Sequence, residues 1–171
     1  GAAAGLAVPF SGLKNDLGAN AGYHLQGQVT WNTPSIQWPL RGEIGYTHFG
    51  FSQTIPGGKI EGSFRELSFI ANAVVPLTVT GSTVRPYAIF GIGAYNGQES
   101  SNQQGSTIIK PSHTNLGLNG GAGIDFSLGG TAAFIEARLH AILNGANSTA
   151  VIGNNSTGTA IYIPITFGFH Y

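Results

Sequence analysis

The final twelve residues of the chain, Ala160 to Tyr171, alternate without a break. Ile161, Ile163, Ile165, Phe167, Phe169 and Tyr171 share one parity, and Tyr162, Pro164, Thr166, Gly168 and His170 share the other. Side chains of an extended strand point to opposite faces in turn, so this segment presents one continuous apolar face backed by a small or weakly polar one. The backing face carries no Asp, Glu, Lys or Arg, which is unusual for a strand whose second face meets bulk water. It suits a strand with lipid on one side and a crowded interior on the other.

Composition points the same way. Only 8% of residues are charged, against about 25% in soluble domains. Gly accounts for 27 of 171 residues, roughly double the ordinary ~7%. No apolar run reaches the ~20 residues a spanning helix needs, and a membrane chain without such a run satisfies its backbone by closing a barrel. The length predicts a single domain, residues 1–171. Cys is absent, which excludes disulfides and thiolate metal sites. Seven basic and seven acidic residues leave no net charge, and a nucleic-acid partner, which needs a basic patch, is not expected. The start at Gly1 is what a processed chain or an excised domain would show.

Eight extended segments are expected, near 2–10, 20–31, 39–51, 63–75, 84–96, 114–128, 131–143 and 158–171. The connections alternate in length. Those at 32–38, 76–83 and 129–130 are short and carry Pro or Gly turn chemistry. Those at 11–19, 52–62, 97–113 and 144–157 are longer and rich in Gly, Ser, Asn and Gln. Short turns at one end and long loops at the other mark an up-and-down outer-membrane barrel. The expected fold is therefore all-β: a closed, eight-stranded, antiparallel, transmembrane-type β-barrel. Leu67, Phe69, Ile135, Leu139, Ile163 and Phe167 are expected outward, and Glu66, Glu136, Arg138 and Thr166 inward.

Four motifs carry a family resemblance: Phe64-Arg65-Glu66-Leu67, Arg85 through Tyr95, Phe134 through Leu139, and Tyr162 through Gly168. Their order and spacing resemble the small bacterial outer-membrane barrels of the OmpA/OmpX-like type. That resemblance implies an outer-membrane location, a lipid bilayer as the surrounding partner, and a carboxy-terminal signal at Phe167, Phe169 and Tyr171 read by the barrel-insertion machinery. The family more often ends in Phe than in Tyr. The fold hosts anchors, adhesins and enzymes alike, so it implies no single activity.

Parity places seven charges in the lumen: Arg41, Glu43, Glu66, Arg85, Asp125, Glu136 and Arg138. An eight-stranded barrel has room for side chains and little else, and confined charges must pair or stay hydrated. The expected arrangement is a structural network of ion pairs in which Arg85 and Arg138 each meet an acid. Glu99, in the connection 97–113, reads as a solvated surface acid. No catalytic residue, metal site or cofactor is expected. The histidines His24, His48, His113, His140 and His170 lack metal-ligand spacing, and the glycine clusters are not followed by a helix and Lys as a phosphate loop requires. The aromatics Trp31, Trp38, Tyr46, Phe49, Phe51, Phe90, Tyr95, Phe126 and Tyr171 suit interfacial girdles, with Phe49 and Phe51 a candidate carbohydrate-stacking pair. Asn147-Ser148-Thr149 and Asn154 to Thr157 match the N-glycosylation pattern.

The functional expectation is a non-catalytic barrel with a structural or surface-interaction role and a side-chain-filled lumen. Two alternatives stand beside it. An apolar wall can be covered by protein as well as lipid, which gives a self-assembling surface or extracellular barrel forming arrays or filaments from copies of itself. The other is a lipid-modifying enzyme or a narrow pore.

Overall fold

The computed structural model describes residues 1–15, 18–55, 58–77, 84–103, 106–143 and 159–171. The strands are β1 (Ala2–Ser11), β2 (Gly22–Trp31), β3 (Leu40–Ile55), β4 (Gly58–Pro76), β5 (Val84–Gln103), β6 (Ser106–Ile109), β7 (His113–Ser127), β8 (Ala132–Ile142) and β9 (Ala160–His170), with one short helix, α1 (Gly12–Asn15). Eight of them form a closed ring in the order β1-β2-β3-β4-β5-β7-β8-β9, every neighbour antiparallel. Closure is the pairing of β1 with β9, which runs from Ala2↔Phe169 to Ser11↔Ala160. No strand of the ring is left with an unpaired edge, the condition for placing a sheet in lipid. Both chain ends lie at the end of the barrel that carries the short connections.

Sidedness follows the period-two pattern. Glu66, Glu136 and Arg138 are almost wholly buried, while Leu67, Phe69, Ile135, Leu139 and Phe167 stand on the outer wall. Ile92 and Leu116, among the most exposed apolar residues at 65% and 72%, face away from the barrel. At these positions the charged residues are inside and the large apolar ones outside, the reverse of a soluble domain.

Strand pairing outlasts the apolar pattern at the loop end. β3 and β4 continue to Ile55↔Gly58, and β5 pairs with β4 as far as Ile60↔Gln103. The connections expected at 52–62 and 97–113 are thus largely strand. β6 pairs with the upper part of β5 beside β7, from which Lys110, Pro111 and Ser112 separate it. Beyond the wall there is no lipid to face, so the alternation disappears while the backbone ladder persists. The glycosylation-like motifs at 147–149 and 154–157 lie outside the described residues.

Narrowness has a local cost at Gly121. A methyl group there would press on the Ala137 carbonyl and the Arg138 Cα of the adjoining strand, whereas at Gly120, on the outer wall, only the Ile89 carbonyl lies near, at 3.9 Å. Gly121→Ala is expected to destabilise the barrel by about 1–3 kcal/mol through overpacking. Gly120→Ala should stay within about 0.5 kcal/mol. Urea unfolding of the two refolded variants in the same detergent checks the contrast.

Candidate functional site: two ties across the lumen

The lumen is held by two sets of contacts between strands that lie diametrically opposite in the ring. The first joins β3 to β8, four strands apart in either direction. Both strands run the same way. β3 presents Arg41 and then Glu43, and β8 presents Glu136 and then Arg138, so the order of charge on one strand is the inverse of the other. Arg41 Nη1 lies 2.8 Å from Glu136 Oε2, and Arg138 Nη1 lies 2.6 Å from Glu43 Oε2. Lateral contacts complete the quartet: Arg138 Nε to Glu136 Oε1 at 2.9 Å and Arg41 Nη1 to Glu43 Oε1 at 3.7 Å. Two positive and two negative groups, all nearly free of solvent, neutralise one another.

Neutral donors and acceptors surround the quartet. The Tyr87 hydroxyl donates to Glu136 Oε2 at 2.7 Å, and Arg138 Nη2 donates to Gln26 Oε1 at 2.8 Å. Gln26 Nε2 in turn donates to Gln28 Oε1 at 2.8 Å. The Arg41 guanidinium lies 5.3 Å from the centre of the Tyr87 ring and 5.8 Å from that of Phe134. A buried ion pair is tolerable only when its remaining hydrogen-bonding groups are also met, and these side chains meet most of them.

The second tie joins β4 to β9, also opposite in the ring. The Tyr162 hydroxyl donates to Glu66 Oε1 at 2.6 Å and lies 3.4 Å from His140 Nδ1. Tyr95 reaches His140 Nδ1 at 3.1 Å, and His24 Nδ1 lies 2.8 Å from Thr47 Oγ1. The His140 and Tyr162 rings stack at 4.9 Å. On the loop side of this cluster the interior turns apolar: Phe49, Phe64, Ile142 and Ala160 gather around Leu13 of α1, which is completely buried.

The expected seven-residue network is therefore divided. Arg41, Glu43, Glu136 and Arg138 come together. Glu66 faces the lumen but takes a tyrosine, with no Arg or Lys in ion-pair range among the described residues. Arg85 is exposed and makes no ion pair among the described residues, although Asp125 is its register partner. It is the second residue of β5, where the wall ends, so inward parity there points into water. Asp125 is partly exposed near the same rim and lies 3.2 Å from His170 Nε2. Glu99, expected at the surface, is buried and accepts from Lys110 Nζ at 3.0 Å, because the strand extends through that segment.

Two aromatic assignments change as well. Tyr95 and Phe49 are interior residues, not members of a girdle, and Phe51 is also buried, which removes the proposed carbohydrate-stacking pair. All three share the parity of the lumen residues on their strands, which the girdle assignment passed over. The tyrosines Tyr87, Tyr95 and Tyr162 are the network members that attention to charge alone passes over, and their inward parity was the available signal. Phe167, Phe169 and Tyr171 stand exposed on the outer side of the terminal strand. Among the described residues, no group of three or more His, Asp or Glu is placed to hold a metal.

The Tyr162–Glu66 tie makes a testable statement. Tyr162→Phe leaves a buried carboxylate oxygen without its donor and is expected to cost about 1–3 kcal/mol. Replacing both partners, Tyr162→Phe with Glu66→Met, should recover most of that loss, because two apolar groups leave nothing unsatisfied between them. Denaturant unfolding of the two single variants and the double variant measures the coupling.

The sequence matches no protein-family model, and a search of curated proteins finds no match. Solved structures do resemble it. The crystal structure of Neisserial surface protein A matches with a TM-score of 0.62 at 20% identity, covering 98% of this chain and 92% of that one. Ail of Yersinia pestis, solved with the heparin analogue sucrose octasulfate, matches at 0.49 and 17% identity over 98% and 95% of the two chains. The outer membrane enzyme PagL matches at 0.47 and 18% identity over 99% and 98%. With its ring of eight strands, apolar outer wall and polar interior, the chain has the fold of the small outer-membrane β-barrels.

Proposed function

We propose that this chain is a bacterial outer-membrane barrel with a structural or surface-interaction role, in which the lumen is a brace and neither a conduit nor a reaction centre. The observation that carries this reading is the charge-balanced clasp of Arg41 and Glu43 with Glu136 and Arg138. It spans the barrel's diameter and spends its charged groups on one another. The apolar cluster around Leu13 supports it from the loop end. The exposed outer wall, apolar across β1, β4, β8 and β9, fits a lipid bilayer, and the exposed aromatic residues of β9 fit a segment read by the insertion machinery. Refolded protein added to a planar bilayer is expected to give no large, steady single-channel conductance. Steady conductance from the unmutated chain would replace the brace with a pore.

A further inference from the structure

The outer wall is not evenly convex. A concavity of about 650 Å³ runs over β3, β4, β5 and β7, with Phe69, Ile92, Ala94, Leu116 and Leu118 among its lining and Gly42 and Glu43 contributing from β3. The register explains it. Phe69 pairs with Ala94, and Ala94 pairs with Leu116, so one row across the wall reads large, small, large. The backbone of Gly93 and Gly117 contributes to the lining. One row nearer the loop end, Leu67 pairs with Asn96 and Asn96 with Thr114. The Asn96 amide donates to the Thr114 hydroxyl at 2.9 Å, and both groups are accessible. One row further, Arg65 pairs with Gln98 on one side and with His48 on the other.

Arg65 is exposed, faces outward and has no acidic partner among the described residues. The neighbouring acids Glu66 and Glu99 face inward, and the outward Glu61 lies four residues further along β4. At ~3.3 Å per strand residue, Arg65 stands roughly 13 Å above Phe69. An apolar trough thus ends in an amide, a hydroxyl and an uncompensated cation. This is the complement of an acyl chain beneath an anionic, hydrogen-bonding headgroup.

We propose that the groove over β4, β5 and β7 binds one anionic membrane lipid, with a phosphate-bearing headgroup at Arg65, Asn96 and Thr114 and one acyl chain along Ala94 between Phe69 and Leu116. The inference rests on the membrane-barrel reading above and adds a specific ligand to its wall. Charge complementarity selects the occupant. A zwitterionic lipid would fill the apolar trough and offer a phosphate, but its own ammonium group would bring a second cation beside Arg65, so only a headgroup with net negative charge offsets the guanidinium.

The test uses the full chain refolded into detergent micelles with either phosphatidylglycerol or phosphatidylcholine of identical acyl chains, read by native mass spectrometry. One phosphatidylglycerol per barrel should be retained in preference to phosphatidylcholine. Arg65→Gln should weaken that preference about fivefold, the contribution of one basic residue near an anionic group. Ala94→Leu, which fills the trough, should reduce retention of both lipids, and Lys14→Gln, an exposed cation elsewhere, should change neither. Equal retention of the two lipids by the unmutated chain, or an unchanged preference in Arg65→Gln, overturns the proposal. So does a lipid-independent dimer that Ala94→Leu abolishes. Insertion into phosphatidylcholine vesicles, followed by protease protection, separates the two readings. A chain that inserts but shows no lipid preference loses only this site, and a chain that does not insert loses the membrane reading too.

Discussion

Exchanging the two charges of the β8 pair, Glu136→Arg together with Arg138→Glu, is expected to destabilise the barrel more than any conservative change in its lumen. In the native arrangement Arg41 faces Glu136 at 2.8 Å and Glu43 faces Arg138 at 2.6 Å. The exchange keeps composition, net charge and the attraction within each strand, yet sets Arg against Arg and Glu against Glu across the diameter. Removing one partner of a buried pair costs about 3–5 kcal/mol, and facing like charges at both rungs should cost at least as much. Exchanging the β3 pair as well, Arg41→Glu with Glu43→Arg, restores opposite charges at both rungs. This fourfold variant should recover most of the loss. Recovery should be incomplete, because Tyr87 donates to the carboxylate of Glu136 and Arg41 lies over the Tyr87 and Phe134 rings. Heat-modifiable electrophoretic mobility and urea unfolding of the refolded variants are the measurements. A fourfold variant as unstable as the twofold one would show that the loss comes from the local fit of these side chains and not from charge pairing across the diameter.

The inverse order of charge in Arg41-Gly42-Glu43 and Glu136-Ala137-Arg138 was visible in the sequence, but its meaning was not. Period-two parity fixes which face a side chain takes, and it sorted Glu66, Glu136 and Arg138 inside and Phe69, Ile135 and Phe167 outside from local pattern alone. Which residues meet across the lumen depends on the stagger accumulated around the closed ring, and no short stretch of sequence records that. Glu66 illustrates the gap. Its inward face followed from its neighbours Leu67 and Ser68, while its partner Tyr162 sits 96 residues away on the opposite wall. Arg85 and Asp125 fail for a different reason. Parity continues to the end of a strand, but enclosure does not, and both residues lie close to the rim. At the loop end the error is reversed: the ladder runs on through Ile55 and Gln103 after the apolar alternation has stopped. The alternation reports the wall that needs an apolar covering, and only hydrogen bonding reports the strand. The groove beside Ala94 needed the register as well, since its large-small-large row is assembled from β4, β5 and β7.

A charge on the outer wall should be as damaging in a bilayer as it would be harmless in water. Ile135 is half exposed on the outer surface. Its register partners are Ile124 on β7 and Phe167 on β9, both of which also face outward. On a soluble protein such a position would tolerate Arg within about 0.5 kcal/mol. With lipid against the wall, Ile135→Arg must bring a guanidinium into hydrocarbon or distort the bilayer to hydrate it, a cost that reaches about 2–4 kcal/mol at the midplane and shrinks toward either interface. The same substitution at Trp38, beside Phe90 in an edge-on pair near the turn end, should cost less for its charge, because a position near the interface lets Arg reach the headgroups. Reversible guanidinium unfolding in thin phosphatidylcholine vesicles, compared with unfolding in a polymer that keeps the chain soluble without lipid, separates the two environments. A large loss in vesicles that shrinks in the polymer is the signature of a lipid-facing wall. An equal and small effect in both would mean that something other than lipid covers Ile135, and the barrel would then have to be read as one subunit of a protein assembly.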